Sequence, residues 1–188
     1  MAPRNEDEVL PMLEHALSRS GPVAIRYPRG STSGRHTDAI APIVHGKSEV
    51  LRRGAGVAIL ALGNAVEVAL DAYEMLRSGE FGPSDRLPTV VNARFAKPID
   101  AELLRELAES HDTLLTLEEH SLAGGYGSAV VETVSDLGLP LKIERVGISD
   151  VLVQHDSPAR QRALFGLSAQ TVAQTVTRAY EPTQEIHR

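Results

Sequence analysis

The sequence predicts an α/β protein built on a mostly parallel, doubly wound sheet. From residue 43 onward, strand-like apolar runs alternate with amphipathic helical stretches, and this alternation is typical of βαβ units with right-handed crossovers. The run Val-Ala-Ile-Leu-Ala-Leu at 57–62 is apolar throughout, as expected for a strand covered by helices on both faces. Because 42% of the residues are apolar and only 4% are aromatic, the core should be aliphatic.

Residues 1–30 are predicted to form one helix and one strand that belong to a different domain. Asn5 and Glu8 form an Asn-x-x-Glu pattern related to the capping box, and Pro11 should kink the helix that follows. The apolar face of this helix would consist of Leu10, Leu13 and Leu17. Residues 23–26 read as a short strand, and its apolar part is expected to be buried. Since one helix and one strand cannot enclose a core, we interpret them as the end of a preceding domain, joined by a polar linker at 31–42 to the domain at 43–188.

Five strands and five helices are expected in residues 43–188. The strands are predicted at 47–52, as an edge strand, and at 57–62, 89–92, 113–117 and 141–146. One helix is predicted at 128–137, and the other four should start at caps formed by Asn64, Asp100, Ser157 and Ser168. Gly79 should end the first of these helices, near residue 77.

Composition and charge argue against several classes of function. The net charge of −6 disfavours a nucleic-acid partner, which would require a basic face. The chain has no cysteine, so disulfides and thiolate chemistry are excluded, and this fits a cytoplasmic protein. No apolar run approaches the roughly 20 residues that a membrane span needs. Residues 1–20 are too polar for a signal peptide.

The motifs yield no self-contained catalytic, cofactor or metal site. The run Gly-Gly-Tyr-Gly-Ser at 124–128 lies between a predicted strand and a helix, where backbone amides can hold an anion. Val130 stands where the dinucleotide fingerprint requires Gly or Ala, so a tight turn that brings the helix close to the sheet is favoured. The seven histidines lack metal-ligand spacing, and no serine stands in a Gly-x-Ser-x-Gly elbow.

Glu118, Glu119 and His120 stand at the carboxyl end of the fourth predicted strand. Adjacent residues of an extended chain point to opposite faces, so the two carboxylates should not share a proton or a metal ion. His120 is either a proton relay that faces a neighbouring subunit or a loop histidine with ordinary partners, and the second interpretation is favoured.

Two arginines lie at the carboxyl end of the predicted N-terminal strand. Arg26 and Arg29 belong to the run Arg-Tyr-Pro-Arg-Gly at 26–30. Open α/β sheets place ligands at this end of a strand, and a guanidinium suits a phosphate or a carboxylate. The alternative is that one arginine forms a structural ion pair while the other is solvated. The spacing alone leaves both interpretations open.

Three runs in the same order carry a family resemblance. They are Gly-Pro-Val-Ala-Ile-Arg-Tyr-Pro-Arg-Gly at 21–30, Asn-Ala-Arg-Phe-Ala-Lys-Pro-Ile-Asp at 92–100, and Leu-Glu-Glu-His-Ser-Leu-Ala-Gly-Gly-Tyr-Gly-Ser-Ala-Val at 117–130, with a weaker match at 146–150. The chain thereby resembles about the last third of the 1-deoxy-D-xylulose-5-phosphate synthases, a transketolase-like family that depends on thiamin diphosphate. The resemblance implies that residues 1–30 close a pyrimidine-binding domain and that 43–188 form a transketolase C-terminal-like domain.

The resemblance also implies a reaction and a role for one arginine. The complete enzyme would condense pyruvate with D-glyceraldehyde 3-phosphate, with decarboxylation, to 1-deoxy-D-xylulose 5-phosphate, a precursor of isoprenoids, thiamin and pyridoxal. Thiamin diphosphate and Mg²⁺ would be held mainly by residues outside this chain, which lacks a Gly-Asp-Gly motif. Arg29 matches the arginine that helps to hold the acceptor phosphate, and Arg26 is a secondary candidate that suits a scaffold role better. The expected partners are the N-terminal part of the enzyme and a second copy in a homodimer, and the chain alone should be inactive.

Two alternatives stay open. The beta subunit of a 2-oxo-acid dehydrogenase, or a split transketolase, shares the C-terminal fold, although the runs at 26–30 and 95–100 together favour the synthase. The alternative from another class is a non-catalytic α/β module that assembles a larger complex.

Overall fold

A five-stranded sheet with helices on both faces forms the centre of the structure. The computed structural model describes residues 1–28, 34, 40–82 and 84–181. The strands are β1 (Glu49–Arg52), β2 (Gly56–Ala61), β3 (Thr89–Asn92), β4 (His111–Ser121) and β5 (Lys142–Ile148), in the order β1-β3-β2-β4-β5. Strands β2 to β5 pair in parallel, and β1 runs antiparallel to β3 at the edge. The predicted fold class is confirmed.

Helices cover both faces of this sheet, which explains the apolar run of β2. The described α-helices are α1 (Val9–Leu17), α2 (Ala65–Arg77), α3 (Ala101–Ala108), α4 (Tyr126–Asp136), α5 (Pro158–Leu164) and α6 (Ala169–Ala179). Helices α2 and α6 pack on one face, with Ile59 of β2, and α3 and α4 pack on the other, with Leu60. Both side chains are fully or almost fully buried, so each face of β2 needs apolar residues. No helix within the described ranges is long and apolar enough to cross a bilayer.

Most predicted helix ends agree with the structure. The side chains of three predicted caps accept a hydrogen bond from the backbone N–H three residues further on: Asp100, Ser157 and Ser168. Gly79, with φ of +82°, follows the end of α2 as predicted. Asn64 is the exception. It precedes α2 but has a helical backbone conformation and makes no side-chain capping hydrogen bond, so its predicted role as a cap was wrong.

The start of the chain departs from the prediction in two ways. Asn5 makes no side-chain capping hydrogen bond, and a short 3₁₀ helix (Glu6–Glu8) separates it from α1. Pro11 lies in the first turn of α1, where a backbone N–H would have no intrahelical partner, so the residue fits without interrupting the helix.

The predicted strand at 23–26 is not formed. A strand needs a neighbouring strand to pair with, and the described residues offer this segment only the backbone of Met1. The Met1 nitrogen donates to Ala24 O at 2.8 Å, and Arg26 N donates to Met1 O at 2.9 Å. The predicted burial was also wrong, because Val23 is 41% exposed. Most of the predicted linker at 31–42 lies outside the described residues.

Candidate functional site

A crevice lies at the carboxyl ends of β2 and β4. The chain leaves β2 for α2 on one face of the sheet and leaves β4 for α4 on the other face. Open α/β sheets bind ligands at such a divergence of adjacent strands. A cavity of about 210 Å³ lies there, between the ends of these strands and the N-terminal segment, and its lining includes Arg26, Tyr27, Asn64 and Glu119.

Arg26 is the predicted site residue that lies at this cavity. Its side chain is exposed and lines the cavity, while its backbone is hydrogen-bonded to Met1. Tyr27, the next residue, is 65% exposed. Arg29, the main predicted phosphate ligand, lies outside the described residues, so its role stays a prediction.

A buried network of charged side chains fastens the N-terminal segment to the sheet edge. Arg94 Nε donates to Glu8 Oε1 at 3.0 Å, and Arg94 Nη2 donates to Glu49 Oε2 at 2.8 Å. Glu8 also accepts from Asn92 Nδ2 at 2.8 Å and from the backbone N–H of Arg4 at 2.9 Å. The Arg4 guanidinium lies 4.0 Å from both carboxylates. Glu8 is fully buried and Arg94 is 2% exposed, and the two carboxylates balance the two guanidiniums, as burial of charge requires.

Arg94 has an unusual backbone conformation. Its φ of +56° lies in the left-handed region, which residues other than glycine adopt rarely. Its guanidinium donates to the carbonyls of Ala41 and Pro42 as well, and its own carbonyl accepts from Ala2 N at 2.9 Å. These contacts on both the side chain and the backbone hold the residue in this conformation.

An aromatic cluster forms a second contact between α1 and the sheet domain. The rings of His15 and His45 stack with their centres 5.9 Å apart, and the edge of Phe95 meets both at 6.0 and 5.7 Å. Burial, followed by the neighbouring His45 and Arg19, lowers the pKa of His15. The neutral imidazole is therefore favoured in this contact.

Glu118 occupies the anion-binding position at the start of α4. Its carboxylate accepts hydrogen bonds from the backbone N–H groups of Tyr126 and Gly127, both at 2.8 Å, and the residue is 1% exposed. A Cβ on Gly127 would lie 2.5 Å from Thr116 Oγ1, and one on Gly125 would overlap the carbonyl of Ser121. The glycine-rich run thus forms the predicted tight turn that brings α4 against the sheet, and its anion partner is a side chain of the protein itself.

The two adjacent carboxylates diverge as predicted. Glu118 points to the start of α4, whereas Glu119 forms an ion pair with Arg162 of α5 at the rim of the crevice. His120 is exposed, and its Nδ1 lies 3.4 Å from the carbonyl of Ser121. His120 thus lies near the end of β4 and not in a loop as predicted, and its role as a proton relay toward a neighbouring subunit stays a prediction.

The described residues do not fit thiamin diphosphate and Mg²⁺. The backbone amides at α4 that could hold a phosphate are already bound by Glu118. In residues 1–28, 34, 40–82 and 84–181, no group of three or more His, Cys, Asp or Glu side chains is placed to hold a metal ion. No step of a reaction is therefore assigned to either cofactor in this chain.

The sequence interpretation missed the buried network. The sequence placed Glu8 in a helix-capping pattern with Asn5. Asn92 and Arg94 belong to a run that supports the family resemblance, but no role was predicted for either residue. One signal was available, because these two polar residues stand at the carboxyl end of an apolar strand, where side chains of neighbouring elements converge.

Comparisons with known proteins agree with the fold and with the resemblance. Residues 46–172 match the family described as "Transketolase, C-terminal domain". Relatives named 1-deoxy-D-xylulose-5-phosphate synthase include those of Symbiobacterium thermophilum, 41% identical over 93% of this chain and 26% of the relative, and of Cyanothece sp., 42% identical over 94% and 28%. The chain thus spans about a quarter of the length of these curated relatives.

Two solved structures are similar to the chain. A split-gene transketolase, described as an inactive beta4 tetramer, matches with a TM-score of 0.84 and 33% identity, over 95% of this chain and 56% of that one. Transketolase from Campylobacter jejuni matches with a TM-score of 0.63 and 15% identity, over 94% and 25%, and this likeness supports the fold alone. Because the family match covers well over half of the chain, the chain belongs to the transketolase C-terminal domain family.

Proposed function

We propose that the chain is the carboxyl-terminal part of a 1-deoxy-D-xylulose-5-phosphate synthase. The observation that carries this proposal is the identity of about 40% to synthases over more than nine-tenths of the chain. Such coverage must include part of residues 1–30 as well as the domain at 43–188. We assign the first segment to the end of a pyrimidine-binding domain.

In this proposal the complete enzyme decarboxylates pyruvate and joins the remaining two-carbon unit to D-glyceraldehyde 3-phosphate. The carbon–carbon chemistry belongs to thiamin diphosphate and to residues outside this chain. The chain contributes acceptor binding and a structural domain that takes part in a homodimer. We expect the chain alone to be inactive.

Arg29 is the proposed ligand of the acceptor phosphate. A guanidinium can donate two parallel hydrogen bonds to a phosphate dianion, which a lysine cannot reproduce. Arg26, three residues earlier, lies at the cavity beside Asn64 and Glu119 and is the secondary candidate. Its backbone hydrogen bond to Met1 supports a scaffold role for the segment that leads to Arg29.

The outer face of α1 supports the proposal that further protein covers this end of the chain. The side chains that share this face are strongly exposed: Leu10 by 61%, Leu13 by 46% and Leu17 by 79%. The opposite side of the same helix buries Met12 completely. A helix with apolar residues on both sides is typical of one that is buried between two layers. The remainder of a pyrimidine-binding domain would supply the second layer.

The acceptor role is tested by substituting Arg29 in the complete enzyme. Arg29→Ala removes a charge-assisted contact of about 1.5–3 kcal/mol, so the KM for D-glyceraldehyde 3-phosphate should rise roughly ten- to hundredfold. The KM for pyruvate should stay within twofold. Arg53→Ala is a suitable control, because Arg53 pairs only with Glu106 at the surface in the described contacts. An unchanged acceptor KM would exclude this assignment.

A split transketolase is the second candidate, because one solved relative with that description shares 33% identity over 95% of the chain. The two candidates differ in their donor substrate. The complete protein, assembled with thiamin diphosphate and Mg²⁺, should release CO₂ from pyruvate if it is a synthase. Ketol transfer between sugar phosphates without CO₂ release would favour the transketolase, and no turnover of either substrate would favour a non-catalytic module.

A further inference from the structure

The C-terminal end of α1 is attached to the sheet domain by the aromatic cluster of His15, His45 and Phe95. His15 lies in the last turn of α1, and its ring stacks on His45 with 5.9 Å between the ring centres. Phe95, shortly after β3, is roughly perpendicular to both rings. The start of α1 is attached separately, because Glu8, directly before the helix, bonds to Arg94. The two ends of the helix are thus held by contacts of different chemistry, an ion pair and a ring stack.

The half of the cluster that belongs to the sheet domain lies on a well-held turn. Lys47 N donates to the carbonyl of Val44 at 3.0 Å, which closes the turn around His45. Gly46, with a φ of +68°, packs so closely on Pro98 that an added Cβ would lie 2.8 Å from Pro98 Cγ. Because the turn is held in this way, α1 is the half that can move when the stack is broken.

The surroundings of His15 suit a neutral ring. Its Nε2 is shielded from solvent and has no hydrogen-bond partner in the described part of the chain. The carbonyl of Ile43 accepts from the ring, so the single proton of the neutral form belongs on Nδ1. An imidazolium would carry a second proton on Nε2, where no acceptor lies. Since burial of a donor without an acceptor is unfavourable, protonation opposes the packed arrangement.

The charged groups around His15 act in the same direction. Burial lowers the pKa of His15 most, and the neighbouring His45 and Arg19 lower it further. The third ring of the cluster is a phenylalanine and brings no charge. Lys47, on the same turn as His45, is paired with the carboxylate of Asp100. Among the described residues, no carboxylate forms an ion pair with His15 that would offset a positive ring.

We propose that His15 is a pH-sensitive switch: the neutral ring holds the end of α1 on the sheet domain, and protonation releases it. A released ring lies in water and takes up a proton near its ordinary value of 6.5, whereas the packed ring takes it up only at a lower pH. Attachment is therefore strongest above pH 6.5 and weakens as the pH falls below this value. The released end carries Leu13 and Leu17 of the outer face with it. The inference does not depend on the proposed function.

Amide hydrogen exchange of the 188-residue chain at about pH 7.5 and 5, corrected for the intrinsic effect of pH on exchange, tests the switch. On acidification, the protection of residues 13–19 should fall about fivefold more than that of a peptide within α6, which reports any loss of global stability. His15→Phe keeps a ring that can pack but cannot take up a proton, so its two peptides should respond alike. His155→Gln removes an exposed histidine outside the cluster and is the matched control, which should keep the wild-type response.

An equal response of residues 13–19 and α6 in the wild type, or a larger response of residues 13–19 that persists in His15→Phe, would overturn the inference. Nuclear magnetic resonance of the wild-type chain is a second test that needs no variant. The signals of Phe95 and of the α1 amides should change with the same midpoint as the His15 ring, and this midpoint should lie below 6.5. Different midpoints for the ring and the helix would show that protonation does not release α1, and the inference would be wrong.

Discussion

Replacement of Glu118 by glutamine should destabilise the chain through the start of α4. The carboxylate accepts from two backbone N–H groups, of Tyr126 and Gly127, both at 2.8 Å. Glutamine keeps the volume but has only one acceptor oxygen, so its amide group must face one of the two donors. The site is 1% exposed, and water cannot replace the lost acceptor there.

The expected magnitude follows from these contacts. One charge-assisted hydrogen bond contributes about 1.5–3 kcal/mol. The attraction between the carboxylate and the helix N-terminus adds about 0.3–1 kcal/mol, or more when partly buried. Because a neutral glutamine costs less to bury than a carboxylate, part of this loss is offset. We expect the free energy of unfolding to fall by about 2–3 kcal/mol.

Urea unfolding of the 188-residue chain, followed by circular dichroism, measures this loss. With a slope of about 2 kcal/mol per molar urea, the midpoint should fall by about 1–1.5 M at an unchanged slope. Glu132→Gln, an exposed position on the same helix, is the control and should stay within about 0.5 kcal/mol of the wild type. A loss below about 1 kcal/mol in Glu118→Gln would refute the view that this carboxylate is the anion partner of α4.

Two further predictions concern acid stability and assembly. Burial lowers the pKa of His111 below its ordinary 6.5, so the unfolded chain binds a proton there before the folded chain does. Stability should therefore fall as the pH drops below 6.5 and until the folded pKa is passed, and His111→Gln should make the unfolding free energy less dependent on pH between 7 and 5. A pH dependence identical to the wild type would contradict this reasoning. Leu13→Asp on the outer face of α1 should weaken binding to a separately expressed N-terminal part of the proposed synthase at least tenfold in calorimetry, whereas Glu14→Ala on the same helix should not. Equal affinities for the two variants would count against a partner on this face.

Features with local causes were predicted correctly from the sequence. The caps at Asp100 and Ser168 depend on a hydrogen bond three residues along the chain, and a sequence pattern contains both partners. The alternation of apolar runs and amphipathic stretches likewise determined the layers of the fold. Asn64 is a residue type that often caps helices, but its backbone is already helical and its side chain makes no capping hydrogen bond. The residue type alone does not determine this backbone conformation.

Features that depend on distant partners were missed or wrong. The segment Val-Ala-Ile-Arg at 23–26 begins with residues of strand propensity, but a strand forms only beside another. The described residues supply one hydrogen-bonded neighbour, Met1. Glu8 stands in an acidic stretch that resembles a solvated helix start, yet it bonds to Asn92, 84 positions away. Tertiary structure alone brings these two residues together, and no local pattern encodes the contact.

The N-terminal segment combines two surfaces of opposite character, and their arrangement supports a junction between domains. Toward the sheet, Glu8 and Arg94 form a buried ion pair whose directional hydrogen bonds favour one geometry. Away from the sheet, the leucines of α1 form an exposed apolar surface. Apolar contacts are non-directional, so this surface does not by itself fix the geometry of a bound partner. Loss of the apolar contact should therefore separate the chain from its partner while the crevice keeps its shape. Loss of the charged contact should leave the partner bound to residues 1–28 but displace these residues from the crevice. Association with a partner and the position of residues 24–28 at the crevice are thus expected to respond to different substitutions within the same 28 residues.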